Sequence, residues 1–130
     1  MLRFLFALAV SIHGLAHSLF MVNSWGYLKE ASGRALFFPK VVGVERSVEG
    51  LFALFWLLPL AGFAVTVWEF HHGHAAWRAW LLASATVSSI MLMSWWGGLN
   101  HPNAMLAMLF DAAVVALLLL KTPAPATVKS

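Results

Sequence analysis

Four long apolar segments, separated by shorter polar ones, dominate the hydrophobic pattern of the chain. They cover residues 2–22, 48–68, 75–96 and 104–120. A helix needs roughly 20 residues to cross a hydrocarbon core of about 30 Å, and each segment is close to that length. The pattern therefore predicts an all-α protein, an integral membrane four-helix bundle, as a single domain over residues 1–121.

The segments outside the predicted spans are mostly short. The longest is the connection over residues 23–47, and the last is a tail over residues 122–130 that we expect to be flexible, since two prolines interrupt its start. Arg3 and the apolar residues after it resemble the start of a signal peptide. The apolar run continues to Val22 without a small-residue cleavage site, so we expect it to remain as the first span.

Composition narrows the class of protein. Of the 130 residues, 62% are hydrophobic and 10% are charged, whereas a soluble domain usually has about 25% charged residues. The lipid bilayer is therefore the expected surroundings of the chain. The net charge of +3 is spread along the loops without a basic, aromatic-rich cluster, which argues against nucleic-acid binding. The absence of cysteine excludes thiolate metal ligands and covalently attached haem.

Charge does not decide how the predicted bundle is oriented. An even number of spans places both termini on one side of the membrane, together with the connection between spans two and three. Four basic residues lie on that side and four on the other, so the positive-inside rule favours neither orientation. We expect a bacterial inner-membrane protein with both termini in the cytoplasm. The side that carries the termini has Arg3, Arg78, Lys121 and Lys129, and the opposite side has Lys29, Arg34, Lys40 and Arg46.

Ionisable residues inside the predicted spans are the main candidates for a functional site. His13 and His17 are four residues apart in span one, so both rings leave the same face of a helix. Gly14 and Ser18 add small residues beside them, and such residues allow another helix to approach closely. Asp111 lies near the middle of span four, where an aspartate costs about 2.5–3.5 kcal/mol on insertion scales. It should therefore face the interior of the bundle and have partners there.

The topology predicts that these residues meet others from the same half of the membrane. Glu45 and Glu49 have the same spacing at the start of span two, and His101 stands just before span four. Span one ends on the side of the membrane on which spans two and four begin. The ionisable side chains of these three spans should therefore converge in one intramembrane pocket. Four-helix bundles build metal sites from inward-pointing Glu and His side chains. The predicted metal ligands are His13, His17, Glu45, Glu49, His101 and Asp111, and the predicted cofactor-binding residues are His13, His17, Glu49 and Asp111.

Three functions fit this pattern, and the sequence leaves them open, including whether the protein is an enzyme. In the first, the pocket binds a metal ion, haem or quinone in a redox-linked role, as in an oxidoreductase. In the second, the protein is a non-enzymatic membrane subunit or scaffold whose polar residues only lock the helices together. In the third, it is a proton-coupled small-molecule transporter that acts as an oligomer. Under any of the three, the expected partners are the lipid bilayer and either another membrane protein or further copies of the chain.

Three further histidines lie in the connection between spans two and three, within residues 71–74. Clustered histidines can bind copper or nickel. A short polar connection at a membrane surface is, however, more typical of a solvated loop. We therefore do not expect this cluster to be the functional site.

Two short motifs resemble those of DoxX-like small bacterial membrane proteins. The first is Arg3 followed by an apolar run and IHGLAH at residues 12–17; the second is VERSVEGL at residues 44–51, similar to the glutamate–glycine start of span two in that group. His17 stands where the group commonly has lysine. An HGxxH first span also occurs in uncharacterised small bacterial membrane proteins. The resemblance implies a four-helix bundle and, for some DoxX relatives, a role beside quinone-linked sulfur oxidation, but it carries over no catalytic residue.

Overall fold

The computed structural model describes residues 1–24, 51–95 and 101–120, and four α-helices account for most of them. They are α1 (Leu2–Ser24), α2 (Leu57–His71), α3 (Trp77–Ser94) and α4 (His101–Leu120). No strand occurs in these three ranges. For these residues the prediction of an all-α fold is confirmed, and the four α-helices occur there in the predicted order. The predicted tail lies outside the described residues.

The second predicted span is not one regular α-helix. Residues 51–52 are helical, a 3-10 turn follows at Ala53–Trp56, and α2 begins after it. Proline has no N–H, so the α-helical bond from Pro59 to the carbonyl of Phe55 cannot form. The 3-10 turn ends at Trp56, so Pro59 falls in the first turn of α2. The N–H groups of a first helical turn have no intrahelical acceptor, and a proline there loses no hydrogen bond.

A glycine turn reverses the chain between α2 and α3. Gly73 has a φ of +74°, a left-handed conformation that a residue without Cβ adopts at little cost. Its N–H donates to the carbonyl of Phe70 at 3.3 Å, and the N–H of His74 donates to that of Glu69 at 3.0 Å. These two bonds form a Schellman motif that satisfies carbonyls at the end of α2. The short turn lets α3 return along α2.

Helices that follow one another in the chain pack side by side, α1 on α2, α2 on α3 and α3 on α4. Two glycines permit these close approaches. A Cβ at Gly14 would lie 2.9 Å from Cβ of Phe63 in α2, and one at Gly62 would overlap Oγ of Ser84 in α3. The prediction that Gly14 lets a neighbouring helix come close is confirmed.

The interior of the described bundle contains two apolar clusters with polar side chains between them. Four buried side chains, which we call the polar layer, are His13, His17, Ser88 and Asp111. They come from the middle parts of α1, α3 and α4. One apolar cluster consists of Ala53, Trp56, Met91, Leu92, Trp95, Ala104 and Ala107, and the other of Val10, Phe63, Leu81, Ala85 and Val114.

The outer surface of the helices is apolar, which reverses the usual pattern of a soluble protein. On α1, Ile12, Leu15 and Leu19 are 61%, 60% and 61% exposed, whereas His13 and His17 on the opposite face are buried. Extensive exposed apolar surface marks a membrane or a partner. Polar residues inside and apolar residues outside are the arrangement expected where lipid is the solvent.

Three of the described helical segments are long and apolar enough to cross a membrane: Arg3–Val22, Ala53–His71 and Pro102–Leu120. The third predicted span is a helix, α3, but it is not in this group. Its 18 residues include Arg78, a threonine and four serines, which lower its hydropathy. Two of those serines, Ser84 and Ser88, are buried against other helices rather than exposed.

Candidate functional site

The polar layer is centred on the carboxylate of Asp111, which is fully buried. Nε2 of His13 lies 2.9 Å from its Oδ1 atom, and the two side chains are 7% and 0% exposed. This contact joins α1 to α4, the first and last helices of the bundle. The imidazole N–H donates to the carboxylate oxygen, since an ionised carboxylate can only accept.

Ser88 of α3 connects the same carboxylate to the second histidine. Its Oγ donates to Oδ2 of Asp111 at 2.5 Å and lies 3.1 Å from Nε2 of His17. A hydroxyl group has a single hydrogen, so the bond to His17 must run the other way, with Nε2–H donating to Oγ. Ser89 adds a longer contact of 3.4 Å to Oδ2 of Asp111. The result is a continuous hydrogen-bonded chain from His17 through Ser88 and Asp111 to His13.

One nitrogen at the end of this chain has no hydrogen-bond partner among the described residues. Because Nε2 of His17 carries the hydrogen, Nδ1 of the neutral ring presents a lone pair. His17 is fully buried, and its Nδ1 is unpartnered in the described part of the chain. The indole N–H of Trp56 is likewise buried and unpartnered there. An unpaired buried acceptor is costly, and this nitrogen is the open end of the hydrogen-bonded chain.

Aromatic rings cover the faces of both histidines. His17 is stacked on Trp56 and Phe63, with ring centroids 5.5 and 5.8 Å away and interplanar angles of 21° and 3°. His13 stacks on Phe110 at 4.2 Å and meets the edge of Phe63 at 4.9 Å. Such packing holds the two imidazoles in fixed orientations and keeps their nitrogen atoms aligned with their partners.

The structure brings together three of the six predicted site residues. His13, His17 and Asp111 meet in the polar layer as the topology predicted. Glu45 and Glu49 lie outside the described residues. His101 begins α4, and its side chain is not among those described. Whether these three belong to the same pocket stays a prediction.

Metal binding at this layer is not tested by the geometry. In the part of the chain that the structure describes, no group of three His, Asp or Glu side chains could hold a metal ion. Glu45 and Glu49 lie outside that part of the chain, and the side chain of His101 is not described. The metal, haem and quinone hypotheses therefore stay predictions.

Ser88 is the residue that sequence reasoning did not single out. It bridges the histidine and the aspartate, and it stands four residues after Ser84, which is also buried. Two hydroxyl residues at this spacing share one face of a helix. A polar stripe of this kind in an otherwise apolar segment is the signal that would have indicated it. Serine is common in membrane helices, and this makes the signal weak.

The histidines at the α2–α3 turn engage in local contacts. Nδ1 of His74 lies 2.9 Å from Oε2 of Glu69, and Nδ1–H of His72 donates to the carbonyl of Trp68 at 2.8 Å. All three rings in this turn are exposed. Neither contact joins two different helices, so this cluster differs in kind from the polar layer.

Comparison with protein-family models, curated proteins and solved structures gives no match. The resemblance to DoxX-like proteins therefore stays a prediction.

Proposed function

We propose that this chain is an integral membrane protein of four spans that takes up and passes a proton inside the bilayer, as a proton-coupled carrier does. The observation that supports the proposal most is the unbroken hydrogen-bonded chain of His17, Ser88, Asp111 and His13. Chains of Asp and His side chains inside membrane bundles are typical of proton relays. Helix α3 serves as the third of these spans, with Ser84 and Ser88 buried against the other helices.

The energetics favour a role beyond holding helices together. An aspartate at mid-membrane costs about 2.5–3.5 kcal/mol on insertion scales, whereas an interhelical hydrogen bond in a membrane protein returns only about 0.6 kcal/mol on average. Small apolar residues would join the helices at lower cost. Retaining Asp111 and two histidines in this layer is therefore better explained by a protonation step.

The hydrogen-bonded chain can carry a proton by reversing its direction. A proton that binds Nδ1 of His17 allows the hydrogen on Nε2 to move to Oγ of Ser88. The original hydroxyl hydrogen then moves to Oδ2 of Asp111. His17 ends neutral with its hydrogen on Nδ1, Ser88 is unchanged, and Asp111 is protonated, so that one proton has been added overall. In the reversed chain, Asp111 donates to Ser88 and Ser88 donates to His17.

The proposed step does not require a metal, a haem or a quinone. In both directions, Nε2 of each histidine is engaged with a hydrogen-bond partner in the polar layer. The transporter proposal has two further parts. The proton step is coupled to the movement of a small molecule, and two or more copies of the chain assemble around the pathway of that molecule. The bacterial inner membrane with both termini in the cytoplasm is the location that we propose for it.

Infrared difference spectroscopy of the protein in liposomes tests the proton step without a known substrate. Acidification of the wild type should produce the C=O band of a protonated carboxylic acid, and Asp111→Asn should remove that band. Ser88→Ala should weaken the coupling between this band and the imidazole bands of His17, because the bridging hydroxyl is lost. Ser88→Thr retains a hydroxyl and should restore the wild-type response.

Ser94→Ala is the matched control, since Oγ of Ser94 donates to the carbonyl of Ile90 in its own helix, at 2.8 Å. Its spectrum should equal that of the wild type. A band that is identical in the wild type and in Ser88→Ala, with the imidazole bands also unchanged, would contradict the relay. Loss of the band in Ser94→Ala would show that the response reports general damage to the bundle.

A second candidate function is a non-enzymatic membrane subunit, and the aromatic covering of the histidines favours it. Trp56, Phe63 and Phe110 pack against the two rings in the way that a helix-locking network needs. Under this hypothesis, Asp111 takes up no proton across the range in which the bundle stays folded. The same infrared titration therefore separates the two candidates.

A further inference from the structure

A groove opens between α1 and α2 at the end of the bundle that carries the α2–α3 turn. Its volume is about 620 Å³, within the roughly 300–1,000 Å³ that is typical of ligand pockets. Phe4, Ala7, Ala64 and Val67 form an apolar wall along it, and Arg3 and His71 also line it. It is separate from the polar layer, which lies nearer the middle of the helices.

The groove has a positive charge without a described counter-ion. Arg3 is exposed, and its guanidinium carbon lies 5.5 Å from the ring centroid of Phe70, where the ring orients the side chain. No ion pair to Arg3 occurs within the described ranges. Glu69, the acidic side chain described at this end, is engaged with His74 instead. In the described ion pairs, the carboxylate at this end is therefore paired with a histidine and not with Arg3.

The surroundings of the groove match the depth of lipid headgroups. Trp68 also lines it and is 62% exposed, and exposed tryptophans at helix ends typically lie at the membrane–water interface. Basic pockets between membrane helices bind anionic lipid headgroups. A guanidinium group matches a phosphate with two parallel hydrogen bonds. The apolar wall below Arg3 provides the surface that an acyl chain needs.

We propose that this groove binds a phospholipid of net negative charge. Arg3 and His71 hold the phosphate, and the wall that includes Ala7 and Ala64 packs against an acyl chain. The proposal depends on insertion of the bundle in a membrane but not on the proton relay. The two can therefore fail separately.

Native mass spectrometry of the purified protein tests this site. The protein is released from micelles that contain phosphatidylglycerol or phosphatidylcholine with the same acyl chains, at equal concentration. The wild type should retain phosphatidylglycerol preferentially. Arg3→Gln should reduce that retention about fivefold, the equivalent of about 1 kcal/mol for one basic residue near an anionic lipid, and should leave phosphatidylcholine unchanged.

Arg78→Gln is the matched control. Arg78 is also exposed at this end of the bundle, but its guanidinium group lies over Trp77 at 5.5 Å and does not line the groove. Retention of phosphatidylglycerol should not change. Equal losses in Arg3→Gln and Arg78→Gln would overturn the site and would indicate attraction by the overall charge of this end.

Ala64→Phe tests the acyl-chain part, since it fills the groove without changing any charge. It should lower the retention of phosphatidylglycerol, with circular dichroism and thermal unfolding equal to the wild type.

Two further results would overturn the proposal. One is displacement of the lipid by millimolar inorganic phosphate, which would mean that a free anion is the ligand. The other is a lipid-free dimer that Ala64→Phe dissociates, which would mean that a second copy occupies the groove.

Discussion

Two histidine–carboxylate pairs in this protein have the same length and opposite surroundings. His13 and Asp111 are 2.9 Å apart, with side chains 7% and 0% exposed, and His74 and Glu69 are also 2.9 Å apart, with side chains 59% and 21% exposed. Water can replace either partner of the second pair, but nothing comparable replaces a partner of the first. Burial rather than distance therefore decides how much each pair contributes.

The pairs also differ in what they connect. The buried pair joins α1 to α4 and is extended by Ser88 of α3, so that three helices depend on it. The exposed pair joins two residues five positions apart at one turn. The first can report on the assembly of the whole bundle, whereas the second reports on one local segment.

Asp111→Ala should have the largest effect. Breaking a buried pair by removing one partner costs about 3–5 kcal/mol, because the remaining group stays buried and unpaired. Glu69→Ala removes a partly exposed carboxylate whose partner His74 is exposed, and it should cost less than about 1 kcal/mol. Reversible unfolding in mixed detergent micelles measures both free energies. Equal losses in the two variants would show that the polar layer is solvated in the folded protein.

Ser88→Ala should have the next largest effect. It leaves Nε2–H of His17 without an acceptor and removes a donor from Asp111, and one unsatisfied buried group costs about 1–3 kcal/mol. Ser94→Ala should have almost no effect on the same unfolding transition, because the Ser94 hydroxyl donates to a carbonyl within α3. If both variants unfold alike, the bond from Ser88 to the carboxylate contributes nothing to stability.

Glycine substitutions should act through different physical causes in the two regions. Gly14→Ala places a Cβ 2.9 Å from Cβ of Phe63 and should cost about 1–3 kcal/mol through overpacking. In Gly73→Ala the added Cβ would meet no atom within 4 Å, but residue 73 has a φ of +74°. Holding an alanine in that left-handed conformation should cost about 1–2 kcal/mol.

Asparagine and serine distinguish these two causes. Gly73→Asn should recover part of the stability, since asparagine tolerates the left-handed region. Gly14→Ser should recover none, because its Cβ meets the same atom. Unfolding of the four variants in micelles checks both statements, and recovery at residue 14 would show that α1 and α2 can move apart without loss.

Salt should have the smallest effect, and only on the exposed pair. His74→Ala should lower stability by less than about 1 kcal/mol at low ionic strength. In about 1 M salt, where the Debye length is about 3 Å, that difference should disappear. The loss caused by Asp111→Ala should not change with salt. A salt-dependent loss at Asp111 would place water in the polar layer.

The local pattern of the chain was enough to predict the helices and part of the polar layer. Apolar segments of about 20 residues predict helices because a backbone in lipid must satisfy its hydrogen bonds within the segment. The spacing of His13 and His17 predicts a shared face from helical geometry alone. The cost of an aspartate in an apolar segment predicts that Asp111 is buried and partnered. All three expectations depend on neighbours within one helix.

The identity of the bridging residue could not be predicted in the same way. Ser88 takes part because α3 is rotated to present it between α1 and α4, and packing of the other helices sets that rotation. The aromatic rings over the histidines, Trp56 and Phe63, depend on the change of helix type before Pro59 and on the close approach at Gly14. None of these contacts has a periodic signal in a single segment.

The local pattern of the sequence therefore accounts for the order of the described helices, their apolar character and the helix face that contains the two histidines. These properties depend on backbone hydrogen bonding and on the 3.6-residue repeat, which act locally. Only the tertiary structure decided that His13 bonds Asp111, that Ser88 links Asp111 to His17, and that Arg3 faces a groove. Those contacts join residues far apart in the chain, and the rotation and spacing of packed helices determine them.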